Sequence, residues 1–215
     1  MGSKVARLCT AIVFAFCARA EAATFSAKIT DQDGHAVANA VVMLVPDNKG
    51  EPAASRLGGD KIVDQRDETF VPLVTIIPKG GRVSFSNSDP TMHQVYSFSP
   101  IRQFEFTLAQ KQKSPPVTFD KAGVAAIGCN IHDQMIAYVF VSDSPYAVLT
   151  GADGKVRLDG LPEGSYSAQI WHPRLAPGAP PPTTRIAIAA QPAGLKIRIR
   201  VLPDRTGHRR HGGGY

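Results

Sequence analysis

Apolar and polar residues alternate with a period of two along much of the chain, and almost nowhere does a helical period persist. Phe25, Ala27 and Ile29 alternate with polar neighbours, Asp31-Gln32-Asp33-Gly34 supplies turn chemistry, and Val37 to Val45 resumes an extended apolar pattern. This stretch predicts a strand, a turn and a strand. Asp47 to Asp60, rich in Asp, Gly, Pro and Ala, reads as a surface connection. Further strands are predicted at Val71 to Ile77, Arg82 to Ser86, Gln94 to Ser97, Val117 to Phe119, Gly123 to Cys129 and Ile136 to Val141, with a single helical turn at Phe104 to Lys111. From Tyr146 the pattern returns to hairpins: Gly151-Ala152-Asp153-Gly154 separates Ala147 to Thr150 from Lys155 to Leu158, and strands follow at Ser167 to Trp171, Thr184 to Ala189 and Leu195 to Val201. The expected fold class is all-β.

The first and last of these blocks resemble pieces of one carboxypeptidase regulatory-like, or prealbumin-like, sandwich. The likeness rests on Asp33-Gly34-x-x-Val37-x-Asn39-Ala40-x-Val42 and on Asp153-Gly154-Lys155-Val156-x-Leu158-x-Gly160-Leu161-Pro162-x-Gly164-x-Tyr166. It implies a β-sandwich from residues 23–58 and 146–202, with residues 61–143 inserted into it or joined to it. A lone hairpin cannot bury its apolar face, so its partner strands must come from elsewhere in the chain.

Composition agrees with a folded exported protein. The chain has 215 residues, 43% hydrophobic and 20% charged, with 19 Gly and 17 Pro, which excludes wholesale disorder and a coiled coil. Residues 1–22 have the form of a secretory signal: Lys4 and Arg7 start it, Leu8 to Ala18 is apolar, and Ala20-Glu21-Ala22 offers a cleavage pattern. That apolar run is too short to span a bilayer. Bulky Phe16 before Cys17 is a poor match to a lipoprotein signal, so a soluble, periplasmic or otherwise exported protein without a stable membrane span is expected. Loss of Lys4, Arg7, Arg19 and Glu21 lowers the formal charge from +6 to +4, and the basic tail of residues 203–215, expected to be disordered, carries part of the remainder. The body is nearly neutral, so nucleic acid is not an expected partner.

Signal removal also takes Cys9 and Cys17 and leaves Cys129 as the single thiol. Around it stands Gly128-Cys129-Asn130-Ile131-His132-Asp133-Gln134-Met135, in which a thiolate, an imidazole and a thioether recur with two residues between each pair. A loop of that spacing between two strands can turn three side chains toward one point, and a fourth group must come from another strand. His93, after the Asn87-Ser88-Asp89-Pro90 break, is the obvious source. His93, Cys129 and His132 with a weaker Met135 is the ligand set of one type 1 copper site. Zinc is the poorer reading, because Met is not among its usual ligands.

Residues 61–143 resemble the cupredoxins, through Val83-x-Phe85-x-Asn87-x-Asp89 leading to His93-x-Val95 and through Gly123 to Met135 followed by the strand Ile136 to Val141. The two-residue gap between His132 and Met135 is most like amicyanin, with plastocyanin-like proteins having a longer gap. The resemblance implies a Greek-key sandwich, copper held by His93, Cys129 and His132 with Met135 axial, and an electron-shuttling role of the methylamine utilization type. Gln94, and the proline-free loop Asn130-Ile131-His132-Asp133-Gln134, depart from the family's usual pattern near the ligands.

The remaining histidines carry less: His35 lies in a polar turn, His172 at a strand end, and His208 and His211 in the tail. No nucleophile motif, phosphate-binding glycine loop or second copper cluster with His-x-His motifs is present, so the expected role is not enzymatic. Three functions stay open. The first is an exported single-electron carrier between a redox donor and acceptor, the donor and acceptor being unassigned although the amicyanin likeness invites methylamine dehydrogenase. The second is a copper storage or delivery protein, and the third is a glycan- or protein-binding sandwich with an accessory copper block.

Overall fold

In the computed structural model, which describes residues 23–48, 55–189 and 193–204, sixteen strands form four sheets and none of the described residues is helical. The expected signal segment, and the tail beyond Asp204, lie outside the described residues. One pair of sheets is built from both ends of the chain. Its first sheet has the order β13 (Lys155–Leu161), β1 (Ala23–Thr30), β16 (Ala193–Arg198), and its second β12 (Tyr146–Leu149), β2 (Val41–Pro46), β14 (Gly164–Trp171), β15 (Thr183–Ile188). The intervening chain supplies the other pair. There, β4 (Thr69–Val71), β3 (Asp60–Arg66), β6 (Arg82–Asn87), β9 (Val117–Thr118) packs on β5 (Val74–Pro78), β11 (Ile136–Ser142), β10 (Gly123–Cys129), β7 (His93–Ser99), β8 (Arg102–Leu108). β7 and β8 form a hairpin, β9 crosses to the facing sheet, and β10 returns to lie beside β7, the connection that defines a Greek key.

Each pair encloses its own core. Phe25, Ile29, Leu44, Leu161 and Ile170 fill the first, while Phe70, Phe85, Phe119, Ile127 and Val139 fill the second. A third cluster joins the two pairs through Val41, Met43, Val74, Ile76, Phe140 and Ala147. β2 therefore buries both faces: Val42 and Leu44 point into the first core, Val41 and Met43 into the seam. This is why its sequence is a continuous apolar run rather than an alternation. Across the seam the Ser144 hydroxyl donates to the Leu44 carbonyl oxygen at 2.5 Å.

Three sequence expectations are corrected. β1 and β2 do not form a hairpin; they lie in different sheets, because their inward faces, Phe25 and Ile29 against Val42 and Leu44, must cover one another across the core. Thr150 ties the link between them, accepting from the Ala40 N–H at 2.9 Å and donating to the Val37 carbonyl oxygen at 2.7 Å. Likewise the turn at residues 151–154 joins β12 to β13 across sheets and does not close a hairpin. The stretch expected to make a helical turn is β8, in which Phe104 and Phe106 pack against the second core and Leu108 is buried within it, as a period of two requires.

Candidate metal centre

Two connections at one end of the second sandwich carry the predicted ligands. The first leaves β6 and re-enters at β7. Asn87, fully buried, shapes it: its amide donates to the carbonyl oxygens of Thr91 at 2.8 Å and Leu108 at 2.9 Å, and its side-chain oxygen accepts from the Asp89 N–H at 2.9 Å. This delivers His93 to the first position of β7 with 1% of its surface exposed. The second connection joins β10 to β11. Cys129 ends β10, paired with Val95, and the Met135 N–H donates to the His132 carbonyl oxygen at 2.9 Å, folding the loop into a turn. Gln94 fastens that loop to β7 by accepting from the Asn130 side-chain amide at 2.8 Å while its own amide bonds to Glu105.

The structure brings three of the four predicted ligands to one point. The Cys129 sulfur lies 3.6 Å from His93 Nδ1 and 4.0 Å from His132 Nδ1, and the two imidazole rings stand 5.1 Å apart at 53°. Cys129 is buried, while the His132 side chain keeps 21% exposure and forms the solvent edge of the cluster. Met135 is buried in the same core cluster as Cys129. The exposed side chains of Met92 and Ile131 flank the two histidines in sequence.

Two carboxylates that the sequence reading did not single out face the outer nitrogens. His93 Nε2 is 2.8 Å from the buried Asp89 carboxylate, and His132 Nε2 is 3.6 Å from Glu68. Burial pushes the Asp89 carboxyl up, but hydrogen bonds from the Glu68 N–H, from His93 and from the Asp67 N–H outweigh it and hold it below the usual carboxylate range. An ionised Asp89 only accepts, so His93 Nε2 carries the proton and Nδ1 keeps its lone pair toward Cys129. Asp89 also fixes the turn between β3 and β4. There Asp67 and Glu68 both adopt left-handed φ, 52° and 53°, and their N–H groups donate to the Asp89 carboxylate at 2.6 and 3.1 Å. Neither is glycine, so the left-handed backbone is costly and depends on those bonds. Through this turn one buried aspartate orients His93 and sets Glu68 beside His132. Asp89 four residues before His93 was a legible signal; Glu68, remote from every ligand in sequence, had none.

The donor set fits a single soft or borderline ion. With metal–nitrogen bonds of ~2.0 Å and metal–sulfur bonds of ~2.3 Å, tetrahedral to trigonal angles demand sulfur–nitrogen separations of roughly 3.5–3.7 Å. The Cys129–His93 separation of 3.6 Å falls in that interval and the Cys129–His132 separation of 4.0 Å lies a few tenths of an ångström beyond it, so a small inward shift of the His132 loop would close the set of one thiolate and two imidazoles. A second group of donors, Asp31, Asp33 and His35, is a surface turn in which the Asp31 carboxylate accepts from the N–H groups of Asp33 and His35.

No family model and no curated protein matches the chain. Among solved structures its neighbours are cupredoxins. A purple cupredoxin from Nitrosopumilus maritimus is 21% identical over 38% of this chain and 99% of its own, with a TM-score of 0.35. Amicyanin from Paracoccus versutus is 20% identical over 46% of this chain and 98% of its own, at 0.36. A copper-containing nitrite reductase from Thermus scotoductus is 25% identical over 45% of this chain but only 25% of its own, also at 0.36. Each likeness is to part of the chain, and the reading of the site rests on its own geometry. No helix among the described residues is long and apolar enough to cross a membrane.

Proposed function

We propose that the chain is an exported type 1 copper protein that carries single electrons between larger redox proteins. The observation that supports this most is the convergence of His93 Nδ1 and His132 Nδ1 on the Cys129 sulfur, with His93 Nε2 held by Asp89. Copper, when bound, supplies a one-electron couple between an oxidation state that accepts imidazole and one that accepts sulfur. The chain's own residues hold the donors still. Asn87 and Asp89 fix His93, the pairing of β10 with β7 fixes Cys129, and Gln94 fixes the loop that carries His132. Ligands that hardly move between oxidation states keep the rearrangement on electron transfer small. Burial of His93, Cys129 and Met135 would keep water from a bound ion, and the exposed edge of His132 would leave one side open to a partner. Met135, a thioether buried in the same core cluster as Cys129, would be the fourth and weakest donor.

Copper(II) loading of the mature chain tests this. The expected result is an intense visible thiolate-to-copper absorption that Cys129→Ser abolishes, with reversible voltammetry. No such band, or a band that survives Cys129→Ser, would refute the copper reading. A band accompanied by irreversible voltammetry and ready loss of copper(I) to an acceptor would refute the carrier role in favour of delivery.

A further inference from the structure

Away from the metal cluster, the seam between the two sandwiches opens into a cavity of about 370 Å³, within the ordinary size range of small-molecule sites. Tyr138 and Phe140 project into it from one face of β11, and Gln169 and Trp171 from one face of β14, since residues two apart share a side of a strand. The Trp171 ring stands 5.5 Å from Tyr138 and 5.7 Å from Phe140, so three aromatic rings meet at the wall. The connection that follows Trp171, with Pro173, Pro177 and Pro181, lines a further side with a backbone of restricted φ.

Two features define what such a space takes. Among the described residues no Asp, Glu, Lys or Arg lines it, and the imidazole on its wall, His172, is held neutral by burial and by the nearby Arg174 charge, with its pKa lowered to about 4. A cation would therefore lose its hydration with no counter-charge to meet it, and an anion would find no cationic group on the wall, Arg174 lying behind His172 and outside the lining. Among the described residues the Tyr138 hydroxyl, the Gln169 amide and the Trp171 N–H have no hydrogen-bond partner, so they are the polar capacity that this largely apolar wall offers. A sugar, with a hydroxyl on nearly every carbon, would leave most of them unpaired. A flat ring with one or two oxygens would not.

We infer that this seam cavity binds a small, uncharged, largely apolar aromatic ring bearing one or two oxygens, of phenol or quinone type, packed against the wall made by the Trp171, Tyr138 and Phe140 rings with its oxygen on the Tyr138 hydroxyl and the Gln169 amide. The inference does not rest on copper.

Trp171 is the sole tryptophan of the chain, so its fluorescence reports on the cavity directly. The full mature chain, copper-free and copper-loaded, is titrated with p-cresol, with toluene as the oxygen-free ring, and with glucose and cellobiose, exciting at the red edge of the indole band. The expected result is a saturable spectral shift with p-cresol, at least about tenfold tighter than with toluene, the advantage of a paired hydrogen-bonding group. In the double variant Tyr138→Phe, Gln169→Leu the two rings should bind alike, toluene being unaffected. No saturable shift with p-cresol, saturation by a sugar instead, or a cresol advantage that persists in the double variant would each overturn the assignment. A chain that binds no copper yet binds p-cresol in this way would refute the electron-carrier reading alone.

Discussion

Replacing Asp89 with Asn keeps its shape and removes its charge, and the geometry dictates what is lost. One carboxylate oxygen accepts from the Asp67 N–H, and the other accepts from both the Glu68 N–H and His93 Nε2. An amide has one acceptor oxygen. If that oxygen takes the second place, the NH₂ group faces the Asp67 N–H and one donor is left unpaired, at a cost of about 1–3 kcal/mol. If it takes the first, the NH₂ group faces His93 and forces the imidazole to accept at Nε2, which moves the proton to Nδ1 and removes the lone pair that faces Cys129. Either way the ligand is less well prepared. Loss of such a partner typically lowers metal affinity 10- to 100-fold, or about 1.4–2.8 kcal/mol. Asp89→Ala removes all three bonds and should be the worse variant on both counts. Competition for copper(I) against a chelator of known affinity measures the first effect, and urea denaturation of the metal-free protein measures the second. Copper affinity equal to that of the parent in both variants, with the proteins folded, would refute the claim that Asp89 orients His93.

Acid should weaken the metal-free protein through His172. Its folded pKa lies near 4, against 6.5 for the free side chain, so its contribution is complete above pH 6.5 and disappears as the pH falls to about 4. That difference corresponds to about 3 kcal/mol; urea midpoints at pH 7 and pH 4.5 should differ accordingly and the difference should shrink in His172→Asn, an unchanged slope counting against it. Gly128→Ala should cost about 1–3 kcal/mol, because the new methyl would sit 2.7 Å from the Tyr96 ring that covers Gly128. Adding Tyr96→Ala should restore part of that loss, and strict additivity of the two changes would show that the ring is not the obstacle. Glu68→Gln should raise the reduction potential of the copper-loaded protein, since a carboxylate near His132 favours the oxidised ion; because Glu68 is more than half exposed, the rise should fade with added salt, and a lowered potential would refute the electrostatic role.

The ligand cluster was legible because its chemistry is local: three of the four predicted donors sit within seven residues, and His93 follows a strand break that Asn87 and Asp89 announce. The strands around it were legible where one face is buried, as in β7, where His93, Val95 and Ser97 turn inward. What the sequence hid was everything decided by partners far along the chain. β3 turns only Val63 and Gln65 inward; it exists because it pairs in parallel with β6 and because Gln65 donates to the Ser86 carbonyl oxygen. The opening motif looked like a hairpin because turn residues separate two apolar stretches, yet which sheet each strand joins is settled by which faces must cover one another. Glu68 reaches the site through a turn whose left-handed residues carry no glycine to mark them.

Copper K-edge X-ray absorption of the loaded protein addresses the central claim most directly. The predicted spectrum contains one short sulfur scatterer and two imidazole nitrogens per copper, with the sulfur lost in Cys129→Ser and one imidazole lost in His93→Ala. A shell of nitrogen and oxygen alone, or one that neither substitution alters, would contradict it.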